Sequence, residues 1–221
     1  MRRKDKFLAN LQKNNSKYNI KYKNQSWLMK LIGSLLFFNK LFMSKYATTI
    51  NQTTYLPDDK YVADKDYESI VLIGHEYVHA YDAKHYSSFL YSLIYLFPLW
   101  LCLLAIPMYF IIGFWSLLFL IFLGPVPSIG RTWAEFRGYS MTLFLCHEVL
   151  KEKKNTDIEY TMDKIARDIQ DKYFHSAAYY FMWPFNMDKK FDAVLEKIKS
   201  GDILKEDEIF QEVLDAFKNS I

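Results

Sequence analysis

Cysteine is scarce in this 221-residue chain: Cys102 lies inside an apolar run and Cys146 in a helical pattern. Two thiols so placed are no disulfide framework, and nothing in them calls for an oxidising compartment. Glycine (7) and proline (6) are few as well. A large net charge is also missing. At +3 the bulk charge is not that of a nucleic-acid binder, and no nucleic-acid partner is expected. No cleavable leader is expected either, because the first apolar run starts near Trp27 and no small-residue cleavage site follows it. The longest absence is internal. From Tyr86 to Gly130 there is not one Asp, Glu, Lys or Arg.

What is present is a chain long enough for one domain with a sizeable core, rich in Tyr (17) and Phe (18). Its positive charge is uneven. Arg2, Arg3, Lys4, Lys6, Lys13, Lys17, Lys21 and Lys23 crowd the N-terminus against Asp5 alone. Residues 1–25 read as loop or frayed helix, a basic arm suited to an anionic membrane surface. Residues 26–43 are apolar nearly all round and read as a helix that lies in a membrane interface or packs into the core. Residues 46–56 are β-branched and aromatic around Asn51-Gln52, the pattern of a hairpin. A helix is expected from Asp64 or Asp66 to about Lys84, with Glu68 in its first turn and Ile70, Ile73, Tyr77 and Ala80–Tyr81 as its buried stripe.

The uncharged segment holds an almost wholly apolar run from Phe89 to Leu123, roughly twice the ~20 residues of one membrane span. A helical hairpin at 87–124 follows, with its turn near Ile106-Pro107. Three arrangements are open: two tightly turned spans, a re-entrant hairpin that dips in without crossing, or a hairpin buried in a protein partner. Helices are expected at about 130–150, from 157 to Tyr173, and at 187–199 and 204–218.

The sharpest motif is His75-Glu76-Tyr77-Val78-His79. On a helix, positions i and i+4 share a face, so the two histidines can grip one ion. Glu76 lies beside them, where it can take a proton from an activated water. Catalytic zinc typically has three protein ligands. His85 is one candidate for the third, but a helix continuing through Asp82 carries it off the ligand face. Glu135 is the other. A hairpin returns the chain to the face it left, so Glu135 can come back beside His75 and His79.

With these residues the chain resembles the gluzincin zinc peptidases, in which H-E-x-x-H on one helix is completed by a glutamate on a later helix. The membrane segment between the two is similar to that of small membrane-embedded zinc peptidases, and the order resembles short bacterial and phage-encoded metallopeptidases. The resemblance covers about residues 44–150. It implies Zn2+ held by His75, His79 and Glu135, Glu76 as general base, and a peptide or protein substrate paired with the 46–56 edge. Gluzincins often carry an Asp where Tyr139 stands, so orienting a ligand histidine falls to Tyr139 or Asp82. His175, Tyr179 and Tyr180 are candidates for stabilising the oxyanion.

The expected fold class is mainly α with a small β-hairpin or edge sheet (α+β), a minimal zincin-like core with the apolar hairpin inserted. The expected division is 1–43, basic arm and interfacial helix; 44–153, catalytic core; and 154–221, a C-terminal helical region. The lipid bilayer is the expected second partner. Positive charge on both flanks of the apolar segment puts the site on the cytoplasmic face of a bacterial inner membrane. The rival from another class is a non-catalytic membrane protein that keeps the metal site as a structural or interaction component.

Overall fold

The computed structural model describes residues 1–35, 39, 41–61, 65–124, 126–154, 157–175 and 186–221. The chain is mostly helical with a small three-stranded sheet. In order it forms α1 (Arg3–Asn14), β1 (Asn19–Tyr22), α2 (Trp27–Leu35), β2 (Thr48–Ile50), β3 (Thr53–Leu56), α3 (Asp66–His85) and α4 (Ser88–Leu96). A short 3-10 turn (Lys23–Gln25) joins β1 to α2, and after α4 come a 3-10 stretch (Leu99–Leu104), α5 (Ala105–Ile112) and a further 3-10 stretch (Gly113–Leu123). The rest is α6 (Ile129–Glu152), α7 (Ile158–His175), α8 (Met187–Ser200), α9 (Ile203–Glu206) and α10 (Glu208–Lys218).

The helix α3 is the centre. Ile70, Tyr77 and Ala80 are fully buried, and the opposite face is buried too. It packs along α6, with α1, α4 and α10 around it and the β2–β3 pair at its side. Two glycines set the approach of α3 to α6. A Cβ on Gly74 would lie 2.2 Å from Cδ1 of Leu145, and one on Gly138 would lie 2.7 Å from the ring of His75. The helix α6 is capped by Ser128, whose Oγ accepts from the Arg131 amide at 3.2 Å.

The expected hairpin is present as β2 and β3, with Asn51 at the left-handed φ of 56° that its side chain tolerates. It gains a third strand: β1 runs parallel to β3, pairing Asn19 with Thr53 through to Tyr22 with Leu56. The sheet order is β1-β3-β2, so β2 is an edge.

The N-terminal segment, expected as loop or frayed helix, forms the helix α1 and joins the core. Phe7 and Leu11, four residues apart on α1, are fully buried in the main core. Arg3 bridges to Glu152 through two hydrogen bonds of 2.6 Å and lies over the ring of Phe217 at 4.4 Å. Lys23 is fully buried, with its Nζ 2.8 Å from the carbonyl of Phe42. The basic residues therefore belong in part to the folded body. In α2, Met29 packs with Phe42 and Tyr55, while Trp27 is exposed.

The apolar segment departs in its turn. The 3-10 stretch Leu99–Leu104 packs against Gly113–Leu123, so the chain reverses between them. The reversal is at Gly113, not at Ile106-Pro107; Pro107 lies inside α5. Gly113 has φ 57° and ψ −136°, a backbone conformation that side-chain-bearing residues rarely adopt. By length and composition alone the 25 residues Leu99–Leu123 match one membrane span, with a mean hydropathy of 2.3 over their most apolar 18 residues, but the reversal divides them into two shorter arms.

Candidate metal centre

His75 and His79 stand one turn apart on α3 and turn their Nε2 atoms towards each other at 3.3 Å. The helix α6 lies against this face and brings Glu135 to it. Its Oε2 is 3.6 Å from His75 Nε2 and 3.9 Å from His79 Nε2. All three residues are buried, so Glu135 is no surface carboxylate. A triangle with these sides has its centre ~2.1 Å from every corner, inside the ~2.0–2.2 Å of Zn–N and Zn–O bonds. The group can hold a metal ion.

The aim of each donor is fixed by a hydroxyl. Thr142 Oγ1 donates to the carbonyl of Gly138 at 3.3 Å, which uses its proton. It therefore accepts from His75 Nδ1 at 3.1 Å, and the Nε2 lone pair of His75 is left for an ion. His79 Nδ1 meets the Tyr91 hydroxyl at 3.0 Å. Tyr95 donates to Glu135 Oε1 at 2.6 Å, leaving Oε2 to face the histidines. Tyr91 and Tyr95 are four residues apart on α4, so the helix that opens the apolar segment also braces the metal centre.

Electrostatics favour a cation in this cluster. Burial raises the pKa of Glu135, but the His75 hydrogen bond and the charges of His79 and His75 outweigh it and hold the carboxyl at about 2. Burial works the other way on His75; the Glu135 hydrogen bond and the charges of Glu76 and Glu135 overcome it and raise the ring's pKa. Glu135 is thereby kept ionised between the two rings.

Glu76 points towards the sheet. Thr49, on the edge strand β2, donates to Glu76 Oε2 at 2.7 Å. Thr54 Oγ1 lies 2.8 Å from Thr49 Oγ1, and the Tyr18 hydroxyl lies 3.2 Å from Thr54 Oγ1. Since Thr49 donates to the carboxylate, Thr54 donates to Thr49 and Tyr18 to Thr54. One directed chain of hydroxyls thus runs from the buried Tyr18 to the carboxylate. Among the described residues, Glu76 Oε1 accepts no hydrogen bond.

The other expected residues are placed as follows. His85 ends α3, exposed and stacked on Tyr81 at 5.7 Å, outside the cluster. Asp82 does not touch a histidine ring nitrogen; its two oxygens accept from Arg137 Nε and Nη2 at 2.9 and 3.0 Å. Arg137 extends to Asp207 and ties α10 to α6. Tyr139 packs edge-on against the His75 ring at 4.9 Å. His175 closes α7, and its side chain lies outside the described residues, as do Tyr179 and Tyr180. Sequence reasoning missed Thr142, Tyr91, Tyr95 and Thr49. The signal for two of them was the i, i+4 pair of tyrosines directly after the motif helix.

No known protein family matches this chain, and neither a curated protein nor a solved structure does.

Proposed function

We propose that this protein is a membrane-associated, zinc-dependent peptidase. One observation carries the proposal: three buried donors from α3 and α6 converge at metal-binding spacing, and the carboxylate of Glu76, next in sequence to His75, is held by the edge strand. A purely structural site has no use for that carboxylate. Zinc is the metal chosen because two imidazoles and one carboxylate are the donors of catalytic zinc sites that keep a fourth position open.

When bound, zinc supplies Lewis-acid chemistry: it polarises a carbonyl and acidifies a water. The residues of this chain do the rest. His75, His79 and Glu135 would hold the ion, and Tyr95 occupies Oε1 of Glu135 so that Oε2 faces the histidines. Thr49 occupies Oε2 of Glu76, so Oε1 is the atom that takes the proton and hands it to the leaving amine. The edge strand β2 offers its free side to an extended peptide, the arrangement that the gluzincin resemblance implies. The apolar segment holds the site at a bilayer surface, on the cytoplasmic face if the positive-inside rule applies.

The test is metal analysis and peptide hydrolysis on purified full-length protein, wild type against Glu76→Gln and His75→Ala. Wild type should carry one zinc and cleave an unfolded membrane-protein substrate. Glu76→Gln should keep the zinc and lose the cleavage, and His75→Ala should lose both. Zinc retained without cleavage in the wild type refutes the peptidase reading and leaves a structural metal protein. Undiminished zinc in His75→Ala refutes the site itself.

A further inference from the structure

The apolar hairpin is exposed on every side. Phe110, Phe114 and Trp115 are 83, 77 and 73% exposed, and on the flanks Leu103, Ile106 and Ile121 are 64, 70 and 69% exposed. A protein-docking face is apolar on one side and rimmed with polar groups. A helical element that is apolar all round and stands outside the body has lipid as its matching solvent.

The hairpin's length decides how it meets that lipid. The helix α4 belongs to the body, because it packs on α3 and α6. Beyond it, the first arm, Leu99–Ile112, is about 24 Å long at the rises of 3-10 and α helix, and the second, Gly113–Leu123, about 22 Å. Neither reaches across a hydrocarbon layer of ~30 Å, even upright. The tip agrees. A hairpin that crosses must present water-compatible groups at its far end, whereas this one presents Phe110-Ile111-Ile112-Gly113-Phe114. The amide of Gly113 at the turn donates to the carbonyl of Tyr109, so that exposed turn does not leave this donor bare in lipid. At the other end, Tyr86 and Trp133 pack edge to face at 5.7 Å, both exposed, at the level where the chain leaves and rejoins the body. Amphipathic aromatics collect at the membrane–water interface.

We infer that the hairpin is monotopic: it enters the bilayer from one face, ends within the hydrocarbon, and seats the body with Tyr86 and Trp133 at the interface. This rests on the membrane half of the function proposed above and is independent of the metal chemistry. Because α4 links hairpin and metal centre through Tyr91 and Tyr95, a monotopic seating holds the centre close to the surface the hairpin entered.

The test uses full-length protein with Cys102 and Cys146 replaced by alanine and one new cysteine, bound to sealed vesicles of phosphatidylcholine and phosphatidylglycerol. Ile111→Cys probes the tip, Leu118→Cys the second arm, and Tyr160→Cys the body. A membrane-impermeant maleimide is applied outside or trapped inside. The inference expects Tyr160→Cys to react from outside. It expects both hairpin cysteines to resist reagent from either side and to react once detergent dissolves the vesicles. Reaction of Ile111→Cys with trapped reagent means that the hairpin crosses, and overturns the monotopic inference while leaving membrane association standing. Protein that stays in solution, or whose hairpin cysteines react from the same side as the body, overturns membrane association itself.

Discussion

Gly138 is a position at which a single methyl group would meet the candidate metal centre. A Cβ there would stand 2.7 Å from both Cε1 and Nε2 of His75 and 3.1 Å from Cδ2. Heavy atoms in contact settle at ~3.5–4.0 Å, so the ring must withdraw by about 1 Å or the helices must part. The ring has no free direction. Its Nδ1 is held by Thr142, which sits on the same helix one turn beyond Gly138. Withdrawal therefore breaks the Thr142 contact or swings Nε2 off the centre. A loss of support of this kind typically costs ~10–100-fold in metal affinity, about 1.4–2.8 kcal/mol of binding, and overpacking adds about 1–3 kcal/mol of lost stability. Gly138→Ala should show both, read by zinc competition against a chromogenic chelator and by urea unfolding. Gly74→Ala is the comparison. Its Cβ would meet the terminal methyl of Leu145 at 2.2 Å, on the same pair of helices but away from a ligand ring. It should lose stability of the same order and keep zinc affinity within severalfold. A stably folded Gly138→Ala with wild-type zinc affinity would refute the assignment of His75 Nε2 as a ligand in this geometry.

Three further outcomes follow from named contacts. Thr142→Val removes the acceptor that holds His75 Nδ1 and should lower zinc affinity ~10–100-fold, while Thr142→Ser restores it; equal affinities in the two variants would rule the contact out as an orienting one. Lys23 is buried, and that desolvation lowers its pKa to about 8, against the upward pull of Glu76. The unfolded chain then binds more protons than the native one between pH 8 and 10.5, so stability should rise with pH across that window by about 1–3 kcal/mol relative to Lys23→Met; a flat difference between the two proteins removes the premise. Arg3→Ala breaks the bidentate tie to Glu152 and should cost about 1–2 kcal/mol in urea unfolding, with zinc affinity unchanged; no loss of stability would return α1 to the status of a loose arm.

The division between what the sequence shows and what it hides is physical. The spacing of His75 and His79 carries its own geometry, because a helix puts i and i+4 on one face whatever else the chain does. Glu135 was within reach of reasoning because an apolar hairpin has to return. The hydroxyls that aim these ligands were not. Thr142, Tyr91 and Thr49 are ordinary residues on a helix or strand, and their roles exist only once α6, α4 and β2 are docked on α3. That docking depends on Gly74 and Gly138, whose close approaches to Leu145 and His75 exist only in the folded chain. The packing of α1 into the core was hidden for a different reason. Eight basic residues outweighed the Phe7, Leu11 pair in composition, yet the long basic side chains can lie along a surface with their charges in water, so a helix needs only a narrow apolar stripe to join a core.

The turn of the hairpin shows how far local signals reach. Pro107 marks the only proline within the arms, and proline usually breaks a helix by removing a donor and crowding the preceding turn. In this chain it falls in the first turn of α5, where the amide is not needed. The break passes instead to Gly113, which alone in the segment can take a positive φ without a side-chain penalty. Moving the turn from Pro107 to Gly113 lengthens the first arm and shortens the second, and it puts Phe110 and Phe114 rather than Ala105 at the tip. Gly113→Val is therefore the substitution that distinguishes the two turns: it strains φ at the reversal while leaving every exposed apolar side chain in place. If the chain turns at Gly113, the variant should lose protection of an Ile111→Cys probe from aqueous maleimide. If it turns at Pro107, protection should be unchanged.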